Sequence, residues 1–353
     1  MKRFLLYTIQ LLFIVQAKIV FAQDPHYSMY NETPVNVNPA LCGVSYDVRV
    51  IANYRSQWHS ISTPYKTYGA TAEFAINHKK TKKAYLTTGL NIYQDVAGGG
   101  NFSQLHIGAI LGVVVSTGAN SSLSFAGTGS FDQRRITSGS FQWENQYNSY
   151  QYDPSIQGET VPANQINYAD FGAGVNYHFS KSTKYISSND GNRIDIGFAV
   201  YHVNTPLISF YNTPETQYMK YSGNVSINIA MPKAKANIIP SVLFLAQGPS
   251  IQVNAGIMFR YIISEASKRS TTVKPMAISA GAYYRSTDSF VPQILFEWDK
   301  YAVGASYDLN VSKLTPYSNL RGGLEIVLRY AWNPGYGKAT GLGNNPQSTP
   351  YFK

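Results

Sequence analysis

The chain has 353 residues and is 44% hydrophobic, yet only 14% of it is charged, where about 25% is usual for a soluble globular domain. Gly and Tyr, 28 of each, fill the deficit; they favour strands, tight turns and interfaces and argue against a helix-rich enzyme built on Leu, Glu and Lys. The formal charge of +10 does not amount to a nucleic-acid site: the basic residues collect in short connectors such as His78-Lys79-Lys80-Thr81-Lys82-Lys83, Lys233-Ala234-Lys235 and Lys268-Arg269, without interleaved aromatic side chains.

The first element is a leader. Met1-Lys2-Arg3 supplies positive charge, and Phe4 to Val20 is apolar apart from Thr8, Gln10, Gln16 and Lys18. Val20-Phe21-Ala22 then offers a small residue before a cut at Gln23. This predicts a cleaved signal peptide over 1–22 and an exported chain. The run is too short and interrupted for a stable helical span. Removing Lys2, Arg3 and Lys18 lowers the formal charge from +10 to +7. No later stretch approaches the roughly 18 continuous apolar residues of a transmembrane helix.

Residues 23–45 are expected as an N-terminal periplasmic or lumenal segment. Pro25, Pro34 and Pro39 exclude a regular helix or a central strand there and suggest extended backbone along a lumen or a rim. Cys42 is the one cysteine, so it makes no intrachain disulfide. It lies far beyond the apolar run and reads as a structural thiol.

Strand-like segments then recur through 46–331. They are expected at 46–55, 66–77, 84–95, 103–115, 121–134, 166–180, 193–205, 220–231, 236–247, 251–262, 275–287, 290–299, 300–310 and 320–331. Alternation is strict in the best of them. In 300–312, Tyr301, Val303, Ala305, Tyr307, Leu309 and Val311 oppose Ala302, Gly304, Ser306, Asp308, Asn310 and Ser312. In 171–179, Phe171, Ala173, Val175, Tyr177 and Phe179 oppose Gly172, Gly174, Asn176 and His178. Period-two alternation means one apolar and one polar face. It does not choose between a soluble sandwich and a membrane barrel. Length does: soluble strands run about 5–6 residues, whereas a tilted membrane strand needs about 9–11 to cross the hydrocarbon. The predicted fold is therefore all-β, a transmembrane outer-membrane barrel of about fourteen antiparallel strands with a wet or polar-plugged lumen. Residues 105–115 and 236–246 are apolar on both faces in part, which suits inward packing against a plug.

The longest connector, 135–165, falls on the outside if strand one runs upward, as the barrel rule expects. It contains Trp143, Tyr147, Tyr150 and Tyr152 among Gln and Asn. These four are candidate partner-binding residues, because Tyr and Trp combine contact area with a polar handle. The same residues suit an aromatic cluster that folds the connector onto the barrel rim, and the sequence leaves both readings open. Trp58, Tyr65 and Tyr68 read as part of an aromatic girdle. Residues 332–353 are Gly-, Pro- and Asn-rich without periodicity and read as a C-terminal periplasmic tail.

The search for chemistry finds no catalytic constellation. There is no nucleophile elbow, phosphate loop, H-E-x-x-H or paired Cys. His26, His59, His78, His106, His178 and His202 lack metal-ligand spacing. No cofactor is expected. Asp170, Asp195, Arg260, Arg285, Glu297, Asp308, Glu325 and Arg329 fall inside expected strands. Unpaired burial of such charges is costly, so they are expected to pair across the lumen, or else to form a pore constriction.

Several stretches together carry a family resemblance. They are Gln23-Asp24-Pro25-His26, Asn38-Pro39-Ala40, Asn53-Tyr54-Arg55 with Gln57-Trp58, and Ser306-Tyr307-Asp308 leading into the last strand. In this order they resemble the PorP/SprF family of outer-membrane proteins of the Bacteroidetes type IX secretion and gliding machinery. The resemblance implies a non-enzymatic barrel that anchors or presents a secreted, adhesin-like protein with a C-terminal sorting domain at the cell surface. It also implies contact with periplasmic type IX components or a peptidoglycan-binding protein. Relatives often end in a short Cys-Pro motif, whereas this chain ends Thr349-Pro350-Tyr351-Phe352-Lys353. A channel for small solutes or hydrophobic compounds is the alternative, and an outer-membrane hydrolase a distant third.

Overall fold

The computed structural model describes residues 24–60, 63–76, 83–98, 102–137, 142–147, 151–159, 164–181, 191–211, 213–231, 234–264, 274–312 and 315–332. Fourteen strands dominate: β1 Val48–Gln57, β2 Tyr65–Ile76, β3 Ala84–Ala97, β4 Phe102–Ser116, β5 Ser121–Arg135, β6 Gln165–Lys181, β7 Asn192–Tyr201, β8 Lys220–Met231, β9 Ala236–Gln247, β10 Ser250–Ser264, β11 Met276–Arg285, β12 Ser289–Trp298, β13 Tyr301–Asn310 and β14 Arg321–Trp332. Each pairs antiparallel with its sequence neighbours, and β1 closes on β14 from Val48↔Trp332 to Gln57↔Gly323. The sheet therefore has no edge. Among the described residues no helix is long and apolar enough to cross a membrane.

All fourteen expected strands are present, with ends shifted by a few residues. The largest shift is at β7, expected to reach 205. It stops at Tyr201 because His202 and Thr205 take left-handed backbone, φ 57° and 42°, ahead of Pro206. Two hairpins turn in two residues. Gly248 supplies the positive φ between Gln247 and Ser250, and Asp299 does so between Trp298 and Tyr301.

The alternation sorts as the strand faces require. Leu111 is 71% exposed, Ile251 64% and Leu328 52%, whereas Asp308, Asn310, Arg260 and Glu325 on the opposite faces are buried. A closed barrel whose outer wall is aliphatic and whose inner wall is charged matches a membrane setting and reverses the soluble pattern. Outward Tyr68, Tyr221 and Tyr284 lie towards the end with the longer connectors, whereas Tyr65, expected in the girdle, shares the inward parity of Thr67 and Glu73 and stands at the mouth. Outward Tyr177, Tyr261, Trp298, Tyr301 and Trp332 lie towards the other end. These are aromatic girdles at two interfaces.

Residues 24–47 lie within the ring of strands. They form three short turns, at Tyr30–Glu32, Pro34–Val37 and Pro39–Leu41, and not one extended run. Pro34 and Pro39 each open a turn, where the missing N–H leaves nothing unsatisfied. The prolines thus limit helix length without forbidding single turns.

Candidate functional site

The inner wall and residues 24–47 together build an extended buried polar assembly. The segment enters at the end carrying the long β5–β6 and β7–β8 connectors and leaves at the opposite end into β1. Its first described residue, Asp24, is a hub. Oδ2 accepts from Lys220 Nζ at 2.7 Å and His202 Nε2 at 2.7 Å, Oδ1 accepts from Gln217 Nε2 at 2.9 Å, and its N–H donates to Gln247 Oε1 at 3.2 Å. The other His202 nitrogen faces Asp170 Oδ2 at 2.9 Å. An imidazole between two carboxylates is held as the doubly protonated cation. Burial opposes that charge, but Asp24 and Asp170 outweigh it and raise the His202 pKa to about 9. Burial likewise opposes ionisation of Asp24, and His202 with Lys220 holds its carboxyl well below the usual range.

Just inside this mouth the plug backbone is gripped by β13 and β14. Glu325 accepts from the N–H groups of Ser28 (2.6 Å) and Met29 (3.2 Å). Asp308 accepts from Ser28 Oγ (2.6 Å), Arg55 (2.8 Å) and Arg285 (3.1 Å). Arg55 also donates to the His26 carbonyl. Towards the turn end a second chain runs from Glu32 to Arg329 (2.5 Å), from Arg329 to Glu297 (2.7 Å) and from Glu297 to Arg260 (2.6 Å). A third unit, Arg49 with Glu73 (2.7 and 2.9 Å), offers Glu73 Oε2 to the Gly43 N–H at 3.1 Å.

Asn38 fixes the middle of the segment. It is fully buried in a niche where β6 and β7 carry glycine; a Cβ at Gly174 or at Gly197 would meet its side-chain amide. There its Nδ2 donates to the Val175 carbonyl at 3.0 Å and to Asn224 Oδ1 at 3.2 Å, and its Oδ1 accepts from the Ala40 N–H at 2.9 Å. Ser124 then donates to the Ala40 carbonyl at 2.6 Å. Apolar contacts complete the seal. Met29, Tyr30 and Val37 pack with Ile239, Leu243, Met258 and Tyr283, and Val35, Ala40 and Cys42 pack with Ile110 and Ala126. The inward apolar positions anticipated in 105–115 and 236–246 thus have a partner. Burial also pushes the Cys42 thiol well up, which suits packing and not nucleophilic attack. Cavities of about 50 and 70 Å³ remain between plug and wall, room for a few waters.

The eight strand charges singled out in the sequence all take part in such pairs; Asp195, for instance, faces His178 Nδ1 at 2.7 Å and Arg193 at 3.4 Å. The expected charge pairs left out Asp24, Glu32, Arg55, Glu73 and Lys220, although Asp24 and Arg55 stand in the signature stretches. The inward parity of Arg55 and Glu73 was a usable signal. Asp24 and Glu32 lie in a segment without periodicity; Asp24 was marked by the family resemblance alone and Glu32 by nothing.

Of the four aromatic residues in the long connector, Trp143, Tyr147 and Tyr152 are described, and Tyr150 lies outside the described residues. The connector folds on itself. Tyr147 and Tyr152 form an antiparallel bridge with ring centroids 5.7 Å apart. Gln146 Nε2 donates to the Ile156 carbonyl at 2.9 Å and its carbonyl accepts from Asp153 N–H at 2.7 Å. The Trp143 ring covers Gly158, where a Cβ would collide with it. Tyr147 is left 52% exposed. Three of the candidate residues thus share one small platform at the long-connector mouth.

Comparison with solved structures returns outer-membrane barrels. A TodX monoaromatic hydrocarbon channel mutant is 9% identical, with 85% of this chain and 94% of that chain covered and a TM-score of 0.47. BamA from Haemophilus ducreyi lacking POTRA domains 1-3 is 10% identical, with 81% and 70% covered and a TM-score of 0.40. The translocator domain of the autotransporter NalP from Neisseria meningitidis is 11% identical, with 86% and 95% covered and a TM-score of 0.34. At this distance these likenesses say nothing of function. Comparison with curated protein sequences gave no match. The family model for the type IX secretion system membrane protein PorP/SprF matches residues 19–330. The signature stretches meet in the lumen: Asp24 at the hub, Asn38 in its glycine niche, and Arg55 on Asp308. The chain belongs to the PorP/SprF family of type IX secretion membrane proteins and is an outer-membrane β-barrel.

Proposed function

We propose that this barrel is a non-enzymatic anchor that holds or presents an exported, adhesin-like protein with a C-terminal sorting domain at the cell surface. The observation that carries this reading is the filled lumen. Residues 24–47 are tied to the wall by the ion pairs of Asp24 with Lys220 on β8 and Glu32 with Arg329 on β14, and by hydrogen bonds to Arg55 on β1, Glu73 on β2, Asp308 on β13 and Glu325 on β14, with water-sized cavities beside them. A barrel plugged in this way offers partners its mouths and not its bore. The Trp143, Tyr147 and Tyr152 platform supplies aromatic contact area at one mouth, as recognition loops do. Tyr150 belongs to the same sequence cluster and is included in the proposed surface. The opposite mouth is the natural contact for periplasmic type IX components or a peptidoglycan-binding protein. The leader over 1–22 would deliver the chain.

The test has two arms. Cells are crosslinked and the barrel is purified under denaturing conditions. Recovery of an exported protein bearing a sorting domain supports the anchor, and repeated failure to recover one sinks it. In planar bilayers the purified protein is expected to stay closed. A large, stable open pore would instead favour the solute channel.

A further inference from the structure

The two ends of the barrel differ in charge. Connectors at the turn end are basic: 77–83 carries Lys79, Lys80, Lys82 and Lys83 with no acid, and 232–235 carries two lysines. Connectors at the long-loop end are acidic: 136–164 carries Glu144, Asp153 and Glu159 and no Lys or Arg. Among described side chains, the long-connector end mixes exposed Lys66, Arg135 and Arg321 with exposed Glu144, Glu159 and Glu215, whereas the turn end is dominated by lysine. Lys83, Lys181, Lys235 and Lys274 are exposed at the turn end, and Lys300 is half-buried there. A mature chain that is basic overall therefore concentrates its surplus on one rim.

That rim coincides with an aromatic belt. Trp298, Tyr301 and Trp332 face outward, 52%, 55% and 42% exposed, at the turn-end limits of β12, β13 and β14. Lys300 Nζ lies 5.4 Å from the Trp332 ring centroid, and Lys274 Nζ reaches Asp299 of the same turn at 2.9 Å. The Lys300 ammonium thus stands at the height of the belt, where lipid headgroups lie, with the Lys274–Asp299 pair on the same turn. A soluble acidic partner would meet the rim end-on and would not need this coincidence.

We infer that the turn-end rim around Lys235, Lys274, Lys300 and Trp332 is a collar that binds the phosphate headgroups of anionic phospholipid in the adjoining leaflet. Lysines at the belt level bind phosphate as point charges, and the indole and phenol rings hold the glycerol and upper acyl region. At the opposite end the exposed cations Lys66, Arg135 and Arg321 face connectors that carry Glu144, Asp153, Glu159 and Glu215, so the preference for anionic lipid is expected at the turn end.

The test uses the full-length mature protein in nanodiscs. Discs of phosphatidylcholine alone are compared with discs containing phosphatidylglycerol. Retained lipid is read by native mass spectrometry, and the unfolding midpoint is read in parallel. Wild type is expected to retain phosphatidylglycerol over phosphatidylcholine by at least about fivefold at low salt. The preference should fall towards one in the K235Q/K274Q/K300Q variant. A K66Q/R135Q/R321Q variant at the opposite end, where these three are exposed, is expected to keep it and controls for folding and total charge. Equal retention of both lipids by wild type overturns the proposal, as does an unchanged preference in the rim variant. Salt-sensitive binding of an acidic soluble protein without any lipid preference would assign the rim to a protein partner and overturns it too.

Discussion

Arg329 gives the most quantitative test of how the lumen is held. It is 4% exposed and bridges Glu32 of the plug (2.5 Å) to Glu297 of β12 (2.7 Å). In Arg329→Met, Glu297 keeps Arg260 at 2.6 Å, but Glu32 loses the cation that faces it while remaining 6% exposed. Leaving a buried charge without its partner costs about 3–5 kcal/mol. Glu32→Gln keeps an acceptor for Arg329, which retains Glu297, so its cost should be about 1–2 kcal/mol. The double variant E32Q/R329M removes the orphaned charge as well. Its loss should be smaller than the sum of the two single losses by at least about 1 kcal/mol. Urea unfolding of the barrel in lipid vesicles, read by tryptophan fluorescence, measures all three. Strict additivity, or a cost below about 1 kcal/mol for R329M, would refute a buried charge chain joining plug to wall.

Further outcomes follow from other contacts. The Asp24–His202–Asp170 unit gives a pH dependence. The His202 pKa is raised from its ordinary value of about 6.5 to about 9. Its contribution, about 3 kcal/mol, is therefore fully present below pH 6.5 and lost as the pH rises through 9. Asp24, shifted the other way, holds its contribution above the usual carboxylate range and loses it only in strong acid. Hydrogen exchange of residues 24–30 should accelerate between pH 7 and 10 beyond its intrinsic rise in wild type but not in H202Q; parallel curves would contradict the latch. G197V places a branched side chain against the Asn38 amide, and N38L removes three hydrogen bonds from a fully buried site. Each is expected to lower stability by about 1–3 kcal/mol and to expose the plug to protease, and unaltered proteolysis would show that the niche does not hold it. Removing residues 24–46 should convert a closed barrel into one that conducts in planar bilayers; a closed trace from a correctly folded deletion would place the seal elsewhere.

Strands were the most legible part of the sequence. In 300–312 the period of two is unbroken, and Tyr301 and Val303 are outward while Asp308 and Asn310 are buried inward. Length, not alternation, separated lipid from core, because the alternation is the same in both settings. The charged inner wall was legible by the same parity, since eight charges at inward positions must find partners. Their partners on residues 24–47 were not. Three prolines rule out long elements but leave single turns open, and side-chain bonds spanning some 200–300 residues in sequence, such as Glu32 to Arg329, leave no local mark. The 135–165 connector announced itself by composition. That Trp143, Tyr147 and Tyr152 converge depends on the Gln146 turn and on Gly158 beneath the indole, which composition does not reveal.

The account rests on a plugged barrel that meets an exported protein at its long-connector mouth. The most direct measurement is photo-crosslinking in living cells from a photoreactive residue at Tyr147, with Leu111 on the lipid-facing wall as control. The account predicts an adduct with an exported protein bearing a C-terminal sorting domain from the first position and not from the second. No such adduct from the mouth, together with an open pore formed by the purified protein, would contradict it.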